Sequence, residues 1–348
     1  MNFKECLINQ LKKHPSLTPQ DIIKMCYQAA FGGEHLSIDF KKAKDYLYEE
    51  FERTLPCEGE LYEQISEDIY RVNLSAWKYE GLPCDLLFKI FTLSFKETKG
   101  DEAEFLKLTD EASEVLKREK VNFSYSEWEE FLKGYLKKGI TPLHHSDKYR
   151  EAEKPAYRIV KKELIRIIPI LKKALALKDK ATPLIIAIDG RAASGKTTIA
   201  DNLKELLSAD IIHMDDFFLP PSLRSPERFK RPGENIHHER FIKEVIPFIL
   251  KKEPFSYRIF DCQRMDFNGE RKIEGKIRIV EGSYSLNPVF GDYADISVFS
   301  DVSECEQIER IRKRNGEEML KMFTDKWIPL EEEYFEFFKI RDKVDITV

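Results

Sequence analysis

The residues best suited to chemistry in this chain lie between positions 183 and 200, which read PLIIAIDGRAASGKTTIA. Gly190 and the run Gly195-Lys196-Thr197 have the spacing G-x-x-x-x-G-K-[ST], which is typical of a phosphate-binding loop. The glycines let the backbone turn tightly, so that successive N–H groups point toward a polyphosphate, and the following helix adds its positive end. We expect Lys196 to reach the β- and γ-phosphates and the Thr197 hydroxyl to ligate Mg²⁺. The predicted ATP-binding residues are Gly190, Ala192, Ala193, Ser194, Gly195, Lys196, Thr197 and Thr198.

Two adjacent acids, Asp215 and Asp216, follow the next strand candidate. Ligands of a parallel sheet gather at the carboxyl ends of its strands, so these side chains should lie beside the loop. One acid can accept the proton of an attacking hydroxyl while the other holds magnesium or its water. A cap or turn role for Asp215 is the structural alternative. Glu281 ends a third strand candidate, where P-loop proteins keep a Walker-B acid, so the predicted magnesium contacts are Thr197, Asp215 and Glu281.

Three arginines, Arg310, Arg312 and Arg314, precede Gly316. Alternate residues on a helix do not share one face, so at most two of them can reach a common target. A lid arginine on the transferring phosphoryl group is worth about 10³–10⁵ in rate, or roughly 4–7 kcal/mol. The alternative is a solvated basic face of the helix.

These motifs occur in the order and spacing of the uridine kinase family, and residues 183–348 resemble the uridine kinase/phosphoribulokinase branch of P-loop kinases. The segments HMDDFFLP, VEGSYSL and WIPLEEEYF are similar to those of bacterial proteins labelled uridine kinase-like. The resemblance implies a kinase that uses ATP and Mg²⁺, with Asp215 as its general base. It further implies phosphate and magnesium roles for Lys196 and Thr197, substrate-side roles for Tyr257 and Arg264, and lid roles for Arg310 and Arg314.

Two departures from that family concern the acceptor. Uridine kinases carry an aspartate in an N-x-D segment that grips the ribose hydroxyls, and this chain reads Asn235-Ile236-His237 there. They also carry a histidine two residues before the flap arginine, where this chain has Cys262. Losing a partner that hydrogen-bonds substrate hydroxyls redirects specificity strongly. We therefore predict phosphoryl transfer to a hydroxyl of a small molecule, either a nucleoside such as uridine or another sugar or alcohol. The predicted substrate contacts are Asp216, His237, Tyr257 and Arg264.

A nucleotide-gated regulatory protein is the alternative function, with the N-terminal half as an effector-binding surface. That half has the size of a whole domain, which is more than catalysis should require. Against this alternative, the chain contains no N-K-x-D guanine-reading motif and no L-S-G-G-Q-type ATPase signature. An enclosed pocket between Asp215 and a covering flap would favour the kinase, whereas an open surface would favour the switch.

The elements that position these residues lie in the second half of the chain. Short β-branched runs alternate there with helix-forming segments, which indicates an α/β domain whose parallel sheet is flanked by helices. The strand candidates are 184–189, 211–214, 277–281 and 296–299, and the helix candidates are 196–207, 240–250 and 305–314. A turn-rich insert, 257–271, is a candidate substrate-covering flap.

The first half of the chain has a different pattern of apolar residues. Residues 1–155 read as an all-α domain of unknown role, with helical spacing in 43–51, 61–77, 86–95, 103–116 and 128–136 and no alternating strand pattern. Residues 156–181 are predicted to form a linking helix, whose apolar side either packs inside the protein or touches a membrane or an acidic partner. The P-loop kinase domain then covers 182–348. The pair His144-His145, with Glu34, His35 and Asp147, lacks the ligand spacing of a metal site, so we expect satisfied or exposed histidines.

The composition limits the class of protein. A length of 348 residues suggests two domains, and a net charge of −5 argues against a protein that mainly coats nucleic-acid phosphates. The six cysteines are scattered with no C-x-x-C pair, which favours reduced thiols in a cytosolic protein. The chain opens with no signal-peptide pattern, and no apolar run approaches the ~20 residues of a membrane span. We expect a cytoplasmic protein whose partner is a small-molecule hydroxyl acceptor, without nucleic-acid or membrane partners; the sequence is compatible with a homo-oligomer.

Overall fold

A computed structural model describes residues 1–33, 40–95 and 100–348. The chain forms two compact units, Met1–Ile165 and Arg166–Val348. The boundary between them falls inside the segment predicted to link two domains, and the predicted limits 1–155 and 182–348 stay predictions. Glu34 and His35, which were considered as metal ligands, lie outside the described residues.

The N-terminal unit is rich in helices whose starts are marked by capping residues. Asn2 and Glu5 form a capping box at the first helix, and Thr18 and Asp21 form another at the second. The helices described in this unit are α1 (Phe3–Lys13), α2 (Pro19–Phe31), α3 (Phe40–Arg53), α4 (Leu74–Tyr79), α5 (Cys84–Phe95), α6 (Glu102–Leu116), α7 (Tyr125–Lys138) and α8 (Asp147–Glu153).

A small antiparallel sheet makes the all-α prediction for this unit wrong. Its strands, in the order β1–β2–β3, are β1 (Tyr62–Gln64), β2 (Ile69–Asn73) and β3 (Tyr157–Lys161). The predicted helix 61–77 is therefore a hairpin followed by the short helix α4. Buried Ile65, Ile69 and Val72 are spaced four and three residues apart, which imitates one face of a helix. The bond from Ile65 N to Ile69 O instead closes the turn of the hairpin at 2.9 Å.

The segment predicted as a single linking helix begins as strand β3. Helix α9 (Lys162–Ala176) follows directly and continues through Pro169. The apolar side chains of α9 are buried, so this side packs within the protein: Leu164, Ile167, Ile168 and Leu171. Among the residues described, none of the helices combines the length and the apolar character that a membrane span needs.

The C-terminal unit is built on a five-stranded sheet in which every neighbouring pair is parallel. The strands lie in the order β10–β9–β4–β8–β5, and their bounds are β4 (Leu184–Gly190), β5 (Asp210–His213), β8 (Ile277–Glu281), β9 (Ile296–Ser300) and β10 (Ile346–Thr347). The four strand candidates agree with β4, β5, β8 and β9 to within one residue. Parallel strands covered on both faces need continuous apolar runs, and every residue of β4 is buried.

Helices flank this sheet, which confirms the predicted α/β architecture. Their bounds are α10 (Lys196–Leu207), α11 (Pro226–Phe229), α12 (His238–Glu244), α13 (Ile246–Ile249), α14 (Glu304–Met322), α15 (Ile328–Phe338) and α16 (Ile340–Lys343), with a π-helical turn at Phe323–Trp327. The predicted helix 240–250 is divided into α12 and α13, because Pro247 has no N–H for a continuous ladder. Helix α14 continues beyond residue 314 and is kinked at Gly316, whose φ is +80°.

The turn-rich insert is a β-hairpin. Strands β6 (Phe255–Asp261) and β7 (Asp266–Ile273) pair with each other and with no strand of the main sheet. Much of β7 is exposed on both faces, so its sequence lacks the alternation by which strands are recognised.

The register of the main sheet brings three strand ends together. Glu281 lies opposite His213 of β5 and opposite Ile188 of β4. The loop that follows β4 therefore begins beside the last residues of β5 and β8. These three ends form the candidate active site.

Candidate active site

The loop after β4 takes its shape from two glycines and one alanine. Gly190 has a φ of +141°, and a Cβ there would meet the carbonyl oxygen of Ser300 at 2.1 Å, so only glycine fits. Gly195 has a φ of +97° and Ala193 a φ of +57°, both in the left-handed region. Successive residues of this kind turn their N–H groups toward one side and form an anion-binding concavity.

Lys196 spans the mouth of this loop. Its Nζ donates hydrogen bonds to the carbonyl oxygens of Gly190 (2.7 Å) and Arg191 (2.8 Å). The first N–H groups of α10, which starts at Lys196, have no acceptor within the helix and are free to meet an anion. The Ser194 N–H donates to Arg191 O at 3.2 Å, and its buried hydroxyl has no hydrogen-bond partner. The predicted ATP-binding residues thus form one continuous loop and helix start.

Glu281 joins the loop to the end of β5. Its carboxylate accepts a hydrogen bond from the Thr197 hydroxyl at 3.3 Å and lies 2.5 Å from Nδ1 of His213. Only 5% of Glu281 is exposed, so its charge is held close to the loop. His213 was not among the predicted site residues. Its position as the last residue of the strand before Asp215 was the signal that could have identified it.

Asp215 lies beside these groups, in the short 3₁₀ turn Met214–Phe217. Its side chain is exposed, yet its pKa is raised, first because surrounding protein desolvates the carboxyl and second because the Glu281 charge is near. The positive charges of Lys196 and His213 oppose this rise. The end of β5 therefore places Asp215 at the same edge of the sheet as the phosphate loop. The enclosed pocket between Asp215 and the hairpin stays a prediction.

The residues predicted to hold Mg²⁺ fit that ion chemically. Thr197 offers a hydroxyl oxygen, while Glu281 and Asp215 offer carboxylates, and Mg²⁺ prefers such oxygen ligands. In the described parts of the chain, no three histidine, cysteine, aspartate or glutamate side chains converge as a complete metal site. A magnesium ion here would therefore draw its remaining ligands from phosphate oxygens and water, as Mg²⁺ usually does.

Asp216, a predicted substrate contact, is held by side chains of the hairpin. It is 8% exposed, and one carboxylate oxygen accepts hydrogen bonds from the Tyr257 hydroxyl (2.8 Å) and Arg271 Nε (3.2 Å). Tyr257 is 1% exposed and its ring stacks on Phe217. Substrate contact by Asp216 and Tyr257 stays a prediction. The two residues fasten the hairpin to the end of β5.

The remaining predicted substrate residues are separated from one another. His237 precedes α12 and is bound through its backbone N–H to Phe217 O at 2.8 Å; burial lowers its pKa. Arg264 lies in the exposed turn of the hairpin and donates to Asn268 Oδ1 at 3.1 Å. Cys262 lies in the same turn, between β6 and β7. Burial raises the pKa of the Cys262 thiol.

The arginine cluster divides as helix geometry predicts. Arg310 NH1 donates to the carbonyl oxygen of Ala193 at 3.0 Å, so this guanidinium contacts the phosphate loop. Arg312 pairs with Glu317 at 2.7 Å on an exposed surface. Arg314 is exposed and bonds the neighbouring Asn315 at 2.7 Å, so the structure does not bring it to the loop. Of the two lid candidates, Arg310 therefore contacts the loop and Arg314 does not, and the lid role of both stays a prediction.

Glu331 of α15 is a site residue that sequence reasoning missed. One oxygen accepts the Ala192 N–H at 2.9 Å, and the other accepts the Ser283 hydroxyl at 2.7 Å. Burial raises its pKa, although the charge of Lys196 opposes the rise. A carboxylate thus lies against the phosphate loop itself. The segment WIPLEEEYF carried the signal, because an acid recurs there on an otherwise apolar helix.

Asp189 is the third missed residue, and it links three of the recognised segments. It is fully buried and accepts hydrogen bonds from the N–H groups of Gly190 (2.8 Å), Tyr284 (3.0 Å) and Leu286 (2.9 Å) and from the Tyr334 hydroxyl (2.9 Å). Burial raises the pKa of its carboxyl, which these hydrogen bonds offset. The carboxylate fixes the start of the phosphate loop relative to VEGSYSL and WIPLEEEYF.

Comparisons with known proteins give likenesses at low identity. No family model and no curated protein matches the sequence. A solved structure described as a possible uridine kinase from Bacillus stearothermophilus is similar at 20% identity and a TM-score of 0.41, covering 53% of this chain and 98% of that one. A candidate fructose transport system kinase from Silicibacter sp. TM1040 is similar at 20% identity and a TM-score of 0.43, covering 52% of this chain and 97% of that one.

Proposed function

We propose that the C-terminal unit transfers the γ-phosphoryl group of ATP to a hydroxyl of a small molecule. One observation carries the proposal: Asp215 lies two residues beyond His213, the last residue of β5, whose Nδ1 is 2.5 Å from the Glu281 carboxylate beside the phosphate-binding loop. A loop alone supports nucleotide binding, whereas a raised-pKa carboxylate beside it supplies the base that transfer to an alcohol needs.

Each group has a task that follows from its position. Asp215 takes the proton of the acceptor hydroxyl, whose oxygen then bonds to the γ-phosphorus as the bond to ADP breaks. Lys196 and Arg310 place positive charge at the loop, where the transferring group is most negative. Mg²⁺ on Thr197 and Glu281 supplies charge neutralisation when it is bound.

The acceptor belongs to the class of nucleosides, sugars and related alcohols. Tyr257 and Asp216 are buried, so the acceptor pocket depends on groups around His237 and the exposed turn of the hairpin. His237 has its pKa lowered, so it is neutral near pH 7 and can both donate and accept hydrogen bonds to hydroxyls. A neutral imidazole in place of an aspartate favours acceptors other than uridine, although uridine stays in the class to be tested.

The test is a steady-state assay of the full chain with MgATP and a panel of nucleosides, pentoses, hexoses and other alcohols. ADP release is measured by a coupled enzyme, and the phosphorylated product is identified by mass spectrometry. At least one acceptor should raise ADP release above the acceptor-free rate. Lys196→Ala should abolish this turnover, whereas Lys204→Ala, an exposed position on the same helix, should keep it. If no acceptor stimulates ADP release in protein that binds MgATP, the kinase proposal fails.

A further inference from the structure

The N-terminal unit contains a cavity of about 960 Å³ that the proposed kinase reaction does not use. Its walls come from α1, α3, the β1–β2 hairpin, the end of α8 and β3. A volume of this size lies within the range of small-molecule sites, which is about 300–1,000 Å³. The chemistry of its lining indicates what it can hold.

Arg71 of β2 lines this cavity as a buried cation. It is 4% exposed, and its guanidinium donates to the side-chain oxygens of Gln10 (3.1 Å) and Gln28 (3.0 Å). Both acceptors are neutral, and the Nε of Arg71 has no hydrogen-bond partner. Buried arginines are ordinarily paired with a carboxylate, because an isolated charge is costly to desolvate. Within the described residues, no ion pair neutralises Arg71.

Tyr157 of β3 stands beside Arg71 and also lines the cavity. The Arg71 guanidinium lies over its ring at 4.7 Å. The Tyr157 hydroxyl is 2.5 Å from Nε2 of His145, whose Nδ1 is 2.7 Å from the buried carboxylate of Asp21. Burial lowers the pKa of His145 to about 4, so the ring is neutral at pH 7. His145 Nδ1–H then donates a hydrogen bond to Asp21, and Nε2 accepts one from the Tyr157 hydroxyl. The neutral ring thus fixes the direction of both hydrogen bonds.

The acids that line the cavity are already paired. Glu63 binds Lys13 at 2.7 Å, and Glu63 and Glu153 both contact His14, at 3.3 Å and 3.2 Å. Burial alone would lower the pKa of His14, but hydrogen bonds to these two acids raise it. Burial alone would raise the pKa of Glu63, but hydrogen bonds from His14 and Lys13 lower it to about 2.

Glu50, the other inner acid, is paired in the same way. It binds Arg158 at 2.6 Å. Lys13 and His14 together serve Glu60, Glu63 and Glu153, and Arg158 serves Glu50. Arg71 differs from these cations, because among the described residues no carboxylate pairs with this buried guanidinium, and an added anion could do so.

From this juxtaposition we propose that the N-terminal unit is a binding site for a small organic anion, whose carboxylate or phosphate pairs with Arg71. The Tyr157 hydroxyl and the paired charges of the wall then hydrogen-bond the polar remainder of the molecule. An added anion would neutralise the charge of Arg71, and charge-assisted bonds to arginine are the strong ones. The site is separate from the phosphate loop and does not depend on the proposed kinase reaction.

The experiment is a calorimetric titration of the full chain carrying Lys196→Ala, so that anions cannot be held at the phosphate loop. The probes are inorganic phosphate, a sugar phosphate, succinate and citrate, which separate phosphate from carboxylate as the source of the anion. At least one probe should bind saturably. Arg71→Met should weaken that binding about tenfold or more, whereas Arg118→Gln, an exposed arginine outside the cavity lining, should leave it within threefold.

Arg71→Lys covers the case in which the methionine variant fails to fold. It keeps the charge but loses the planar fork, so the folded protein should bind the probe more weakly than wild type. Circular dichroism verifies the fold of each variant. The proposal is overturned if no probe binds at millimolar concentration, or if folded Arg71→Met and Arg71→Lys bind as tightly as the parent.

Discussion

Replacing Asp215 by asparagine is the most direct perturbation of the proposed proton transfer. Asparagine has nearly the same size but takes up no proton near neutral pH, so the acceptor hydroxyl loses its base. General-base catalysis contributes about 10²–10⁴ in rate, so kcat should fall by that factor, equivalent to about 2.7–5.5 kcal/mol. Wild-type kcat should rise with pH as Asp215 loses its proton. Because desolvation and the Glu281 charge raise the pKa of Asp215, this rise should occur at a higher pH than for an ordinary aspartate. The kcat of Asp215→Asn should not show this rise.

Asp216 is a matched control of the same chemistry, one residue away. Its carboxylate accepts hydrogen bonds from Tyr257 and Arg271, so Asp216→Asn should lower the free energy of unfolding by about 1.5–3 kcal/mol. Its kcat should stay within tenfold of wild type in folded protein. The assay compares kcat for the best acceptor of the panel, MgATP affinity by fluorescence titration and the melting temperature. The reasoning is refuted if folded Asp215→Asn binds MgATP normally and turns over within tenfold of wild type.

Three further changes address the loop, its neighbour and the N-terminal unit. Gly190→Ala forces a Cβ against Ser300 O and should lower the free energy of unfolding by about 3–5 kcal/mol in urea titrations. Gly291 has a φ of +70° but open space around it, so Gly291→Ala should lower this free energy by only about 1–2 kcal/mol. Equal losses would contradict the steric argument. Glu331→Gln removes a negative charge beside the phosphate loop and should tighten MgATP binding about tenfold, measured by fluorescence titration; unchanged or weaker affinity would contradict this. Hydrogen bonds that outweigh burial lower the pKa of Glu63 from 4.5 to about 2. Ionised Glu63 therefore stabilises the folded N-terminal unit by up to about 3 kcal/mol above pH 4.5, and this stabilisation is lost as the pH falls toward 2. Glu63→Gln should therefore flatten the acid dependence of N-terminal unfolding, followed by fluorescence in a variant that keeps only the two tryptophans of that unit; an unchanged dependence would refute it.

The parallel sheet was predictable because each of its strands can be recognised from its own short stretch of sequence. A strand buried on both faces needs an unbroken apolar run, and Leu184–Gly190 provides one directly before the phosphate loop. The loop glycines follow from backbone geometry, so the phosphate site was predictable from its spacing as well. The N-terminal sheet was not predictable in this way, because Ile65, Ile69 and Val72 repeat with the period of a helix. Periodicity alone cannot separate these two structures over so short a segment.

The parts of the site that were missed depend on contacts between distant segments. Glu331 meets Ala192 across 139 residues of chain, and His213 meets Glu281 across 68. The burial of Asp216 could not be predicted from the sequence either. Its neighbour Asp215 has the same chemistry, and only the position of the hairpin decides which acid is buried. Residue type and spacing indicate the reaction class, while tertiary contacts decide which of two equivalent side chains performs it.

The attachment of α15 to the phosphate loop also gives this unit an optical reporter. Trp327 stands just before α15, and it is the single tryptophan of residues 166–348. Lys326 lies 4.7 Å over its ring, so a small rotation of the helix changes the charge that the indole senses. An anion entering the loop must compete with Glu331 on that same helix. In a variant that lacks Trp77 and Trp128, occupancy of the loop can therefore be followed through the emission of Trp327, without a label and without knowledge of the acceptor.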